Sequence, residues 1–128
     1  MVLAAMWCEL AERCVTPDWT DPLVRSLVDA FSAIGCLTND LAADRTDTFT
    51  AVGALAAAQG LTHRKATVQV RAFLEAEERR FWWLCTAVRD DDLAPATGRF
   101  ARSLDDFRRA LADWTRQSTR YAATSTSC

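Results

Sequence analysis

The sequence predicts an all-α protein, and three observations carry that prediction. Apolar residues recur at three- and four-residue spacing along most of the chain, most regularly at Phe100, Leu104, Phe107, Leu111 and Trp114. Ala, Leu and Arg, which favour helices, are abundant, while glycine and proline number only four and three in 128 residues. No alternating apolar–polar run marks a strand.

Residues 1–14 read as a first helix, with Leu3, Met6, Trp7, Leu10 and Cys14 on one side. Val15 to Thr20 is a connector. Thr20 or Asp21 can cap the next helix, and Pro22 suits its first turn, where no backbone N–H is needed. That helix is expected from about 22 to 45, burying Leu23, Leu27, Phe31, Ile34 and Leu41, with Val24 and Val28 widening the face. The Ser/Thr/Asp-rich stretch 46–50 breaks it, because short polar side chains compete for backbone hydrogen bonds. Ala51 to Gln59 form a short helix closed by Gly60. Thr62 caps a long helix to about Val88, with a stripe of Val70, Phe73 or Leu74, Glu77, Phe81, Leu84 and Val88. A loop broken at Pro95 leads to the last helix, and the chain turns polar from Ser118. The result is one domain over 1–128 with four to five helices.

The bulk chemistry narrows the function. A net charge of −2, with acidic residues interleaved among the arginines, gives no reason to expect nucleic acid as a partner. No apolar run reaches transmembrane length, and Glu9 interrupts the apolar start that a signal peptide would need. Five cysteines without CxxC spacing read as reduced thiols, which points to the cytoplasm. Cys36 is expected to be a buried thiol, and the lone His63 a surface residue. Glu75, Glu77 and Glu78 with Arg79 and Arg80 suggest local helix pairs on a wet face.

Two constellations could carry chemistry. The first is Asn39-Asp-Leu-Ala-Ala-Asp-Arg-Thr-Asp47. If the helix continued, Asn39 and Asp47 would differ by about 800°, or about 80° after two turns, and could serve one cation. Asp40, Asp44 and Asp47 form a second, more acidic line on the same extension. Taken alone, the stretch fits a solvated acidic helix end better. The second constellation is Trp114 to Tyr121. Arg116 and Arg120 share a side of a continuing helix, and arginine forks match phosphate oxygens. Taken alone, this is also the basic end of an amphipathic helix, favourable with the helix dipole.

Together these segments resemble class I terpene synthases. Asn39 to Asp47 is similar to that family's second metal motif, Asn-Asp-hydrophobic-x-Ser/Thr-x-x-x-Glu. The segment Thr48-Phe-Thr-Ala-Val-Gly-Ala-Leu, the Gly60-Leu-Thr62 turn, a long helix with Phe81, and the ending Trp114…Arg120-Tyr121 follow in the family's order. The resemblance runs from about Pro17 to Tyr121 and covers the C-terminal part of a catalytic domain more than twice as long. It implies a partial isoprenoid-synthase bundle that binds an isoprenyl diphosphate through a cluster of three Mg²⁺ ions, releases pyrophosphate and cyclises the carbocation. It assigns Asn39 and Asp47 as metal ligands and Arg120 and Tyr121 as pyrophosphate-binding catalytic residues. Asp40 and Asp44 are further candidate ligands. Ala43 stands where the family has Ser or Thr, a lost ligand position, and Asp47 is one methylene shorter than the family's Glu. The aspartate-rich first metal motif has no counterpart in residues 1–38, and Asp90-Asp-Asp92 lies on the wrong side of the Asn-Asp pair in chain order. The implied activity is therefore that of a truncated synthase completed by missing or partner helices. The alternative is a non-catalytic relative acting as a helical binding or oligomerisation module. With those walls missing, Phe31, Phe73, Phe81 and Phe107 are expected to be partly exposed, which would favour a homodimer or a complementing chain.

Overall fold

A computed structural model describes residues 17–43, 49–89 and 95–118 of the chain. Among them are four helices: α1 (Pro22–Ala42), α2 (Ala51–Gln59), α3 (His63–Arg89) and α4 (Pro95–Gln117). No strand occurs among the described residues, so the fold is all-α, as its periodicity predicts. The helix expected over residues 1–14 lies outside the described residues.

Local chemistry sets the helix boundaries. Of the two candidate caps for α1, Asp21 acts: its carboxylate accepts from the Leu23 N–H at 2.8 Å, with Pro22 following in the first turn. Ahead of it, the Asp18 carboxylate accepts from both the hydroxyl and the backbone N–H of Thr20. Those two bonds, the hydroxyl's first, hold the Asp18 carboxyl below the usual carboxylate range. Thr50 caps α2 by accepting from the Gly53 N–H at 3.1 Å. Gly60 ends α2 in the left-handed conformation at φ 63°, and the following Leu61 N–H reaches back to the Ala56 carbonyl. The Thr62 hydroxyl then accepts from the Lys65 N–H, opening α3.

Two apolar clusters hold the helices together. The larger joins Val24, Leu27, Phe31 and Ile34 of α1 to Phe81 and Val88 of α3 and Phe100 and Leu104 of α4. The smaller joins Leu37 and Leu41 at the end of α1 to Val52 of α2 and Ala66 and Val70 of α3. The start of α1 thus meets the end of α3, and its end meets the start of α3, so the two run antiparallel. In the latter part of both α1 and α4, the point where a Cβ on Gly35 would stand lies 3.6 Å from Leu111 Cδ2. Gly98, near the start of α4, lies by Val88 at the end of α3. Helix α4 is therefore parallel to α1 and antiparallel to α3. Short α2 packs on α3 and the last turns of α1.

Several expectations are corrected here. Phe31 and Phe81 are buried rather than partly exposed, because they fill the larger cluster together with ring centres 6.4 Å apart. Phe107 is half-buried against the same cluster, and Phe73 is 57% exposed. Leu74 takes the inward place on α3, since neighbouring helix positions diverge by about 100°. For the same reason Trp82 and Trp83, next to buried Phe81, both face outward, with their rings edge-to-face at 4.8 Å. Cys36 is exposed rather than buried: it lies two positions, about 200°, beyond buried Ile34. Glu77, placed on the inward stripe, is half-buried and pairs with Arg80 at 3.3 Å.

Candidate functional site

Helix α1 stops at Ala42, about three residues earlier than its sequence pattern suggests. Ala43 is extended, at φ −68° and ψ 158°, and its N–H reaches the Asp40 carbonyl. The eight-position helical relation between Asn39 and Asp47 is thereby lost, because no helix runs through Ala43. The helical line Asp40–Asp44–Asp47 fails for the same reason. Asp44 and Asp47 themselves lie outside the described residues, as do Arg120 and Tyr121.

The structure gives Asp40 a definite task. Its Oδ2 accepts from the Ala51 N–H at 2.7 Å, across eleven residues of chain. Ala51 is the first residue of α2, whose leading N–H groups have no partner within the helix. A carboxylate there satisfies one of them and lies at the favourable end of the helix dipole. With Thr50 bonding Gly53, the α2 N-terminus is capped twice, once locally and once from α1. Sequence alone makes Asp40 a further candidate ligand and gives no sign of this capping role. The donor it serves is fixed only by the fold, so no local spacing announces it.

Asn39 lies beside Asp40 in the last turn of α1 and is exposed. Its amide oxygen is a hard donor suited to Mg²⁺. Ala43 supplies no side-chain oxygen, as its sequence requires. The donors thus fit a Mg²⁺ site in part: Asn39 can give one ligand, Asp40 is committed through one oxygen to α2, and Mg²⁺ ordinarily keeps several waters. Among the described residues no cluster of three or more His, Cys, Asp or Glu side chains could hold a metal ion.

The other constellation starts at the same end of the bundle. Because α1 and α4 are parallel, Ala42 and Gln117 end them seven and six residues beyond the Gly35–Leu111 contact. Arg116, in the last turn of α4, is exposed and pairs with Asp113. His63, the first residue of α3, is half-buried, and its carbonyl accepts from the Thr67 hydroxyl at 2.9 Å. Two open troughs, of about 620 and 590 Å³, lie along α3, and neither includes Asn39 or Asp40.

No protein-family model, no curated protein and no solved structure matches this chain. No helix among the described residues is long and apolar enough to cross a membrane.

Proposed function

We propose that the chain supplies the Asn-Asp half of a Mg²⁺–diphosphate site of the class I terpene synthase type, completed by helices of another chain. One observation supports this reading above the others. The parallel packing of α1 and α4 brings the Asn39-Asp40 turn and the exit toward Arg120-Tyr121 to one end of the bundle. Arg120 is two residues past Ser118, so the chain can carry it no more than about 7 Å from there. Asp47 is two residues before Phe49 and four before Ala51, the first residue of α2, so the chain can carry it no more than about 14 Å from that helix start.

In this reading Asn39 and Asp47 hold Mg²⁺ with water completing its shell, and Arg120 and Tyr121 donate hydrogen bonds to pyrophosphate oxygens. Bound Mg²⁺ would neutralise charge on the diphosphate of an isoprenyl substrate and so ease departure of pyrophosphate. Asp40 positions rather than ligates: its bond to Ala51 fixes the turn that presents Asn39. The reaction belongs to the reducing cytoplasm, where a thiol as exposed as Cys36 persists.

Calorimetry with inorganic pyrophosphate and Mg²⁺ tests the reading. Mg²⁺-dependent binding is expected in the wild-type chain. It should weaken about tenfold or more in Asn39→Ala and Arg120→Ala while helicity by circular dichroism is unchanged. Equal binding by wild type and both variants would overturn it. Geranyl, farnesyl and geranylgeranyl diphosphates should bind without cyclisation until the complementing helices are added.

A second reading, a non-catalytic helical interaction module, is favoured by one specific feature. Trp82 and Trp83 both stand on the outside of α3, 58% and 65% exposed. A chain that fails to bind pyrophosphate under any Mg²⁺ concentration belongs to this second class.

A further inference from the structure

The outward side of α3 carries a regular pattern of its own. Val68, Ala72, Glu75, Arg79, Trp82 and Thr86 follow at intervals of 4, 3, 4, 3 and 4, the spacing of a two-helix seam. The line is displaced by about 160° from the buried line of Ala66, Val70, Phe81 and Val88. All but half-buried Thr86 are exposed.

The seam is symmetric about residue 77. Position numbers 68 and 86, 72 and 82, and 75 and 79 each sum to 154. Two copies of α3 laid antiparallel across a two-fold axis would therefore pair every seam residue with its complement. Ala72 would face the Trp82 indole of the other copy, small against large. Glu75 would face Arg79, opposite charges, twice over. Val68 would face Thr86. A parallel pairing would instead set Glu75 against Glu75 and Trp82 against Trp82.

We propose that the chain forms a symmetric homodimer through antiparallel packing of α3 on α3. The troughs fit this arrangement. One runs from His63 to Glu75 past Ala72, where the other copy's Trp82 would seat. The second contains Glu75, Arg79 and Trp82 and is walled by Asp105, Arg108 and Arg109 of α4. The seam's own indoles, Trp82 of each copy at roughly 150 Å² apiece, provide about 300 Å² of the ~1,600 Å² that a standard interface buries. Val68, Ala72 and the stems of Arg79, Arg108 and Arg109 supply further surface. The Glu75–Arg79 pair acts mainly on register and orientation, because desolvation offsets much of its attraction. This proposal is independent of the Mg²⁺–diphosphate reading, since the seam is on the side of α3 turned away from α1.

Sedimentation velocity from about 1 to 200 µM tests it. The wild-type chain is expected to shift from monomer to dimer across that range. Glu75→Arg and Arg79→Glu should each be monomeric, because each sets like charges across the axis. An equimolar mixture of the two should associate, since every pair is then again opposite, and the double exchange in one chain should dimerise as wild type does. Ala72→Glu, which leaves the charge pair intact but blocks the Trp82 seat, should also be monomeric. A wild type monomeric throughout, a dimer that survives Ala72→Glu, or single variants that fail to associate when mixed would overturn the proposal.

Discussion

Asp40 and Asn39 are adjacent yet belong to different jobs. Asp40 is turned toward the first N–H of α2, and Asn39 is exposed on the last turn of α1. Asp40→Ala should lower stability by about 1–2 kcal/mol, the usual cost of losing a cap with a charged acceptor. Chemical denaturation reads this directly. Asp40→Asn should recover most of the loss, because an amide oxygen can still accept from Ala51. Asp18 gives a pH prediction with a definite sign. Its carboxyl is held low by the Thr20 hydroxyl and N–H, so the charged form is favoured in the folded chain. Its contribution to stability is complete above the ordinary carboxylate pKa and disappears as pH falls through the lowered value. Thr20→Val removes the leading cause, and NMR titration of Asp18 should then show its pKa moving back up.

At the scale of elements, two glycines make opposite predictions. Gly60 closes α2 at φ 63°, a conformation that side chains resist, so Gly60→Ala should destabilise by about 1 kcal/mol. Gly35 lies within α1, where a methyl group would meet Leu111 at an ordinary 3.6 Å. Gly35→Ala should therefore stabilise by roughly 0.5–1 kcal/mol, by relieving helix entropy without a clash. Thermal melts of the two variants should move in opposite directions. The Pro22 start of α1 with Asp21 as one of two candidate caps, the Thr62 cap and the Gly60 stop are legible in the sequence, whereas the Thr50 cap is read only from the structure. Each of the three legible features depends on atoms within a few residues, so composition and spacing suffice. The end of α1 was not legible: a continuing apolar pattern through Leu41 suggested a helix to 45. The turn at Ala43 is instead fixed together with the Asp40–Ala51 bond, a contact between elements. That single difference removes the helical geometry first drawn for the Asn39–Asp47 pair. Periodicity places Phe31 and Phe81 on inward faces; what it does not reveal is that each covers the other, so that neither is left exposed by missing walls. Cys36 was misplaced for a simpler reason, its angle from Ile34.

The whole molecule is held at two unequal places. The larger cluster contains two buried phenylalanines of the α1–α3 contact and Phe100 of α4, while the smaller rests on Val52, Ala66 and Val70. Phe100→Ala should cost about 3–5 kcal/mol, the range for an aromatic ring removed from a packed core. Val70→Ala should cost less, as fewer buried atoms are lost. Hydrogen exchange should report the same inequality: amides of α2 and the first turns of α3 should exchange through openings of lower free energy than those around Phe81. The parallel course of α1 and α4 was also beyond sequence reading, because periodicity defines faces but not the direction in which neighbours lie. It follows from Gly35 meeting Leu111 and Gly98 meeting Val88.

The edge-to-face ring pair of Trp82 and Trp83 has an optical consequence. Both indoles stand mostly in water, so their emission belongs at long wavelength, and their close approach should give a coupled ellipticity band. Seating Trp82 of one copy over Ala72 of another would strip water from that ring. The fluorescence maximum should then move to the blue as protein concentration rises, with no label attached. The same chain at the same concentration but bearing Ala72→Glu should keep its red emission.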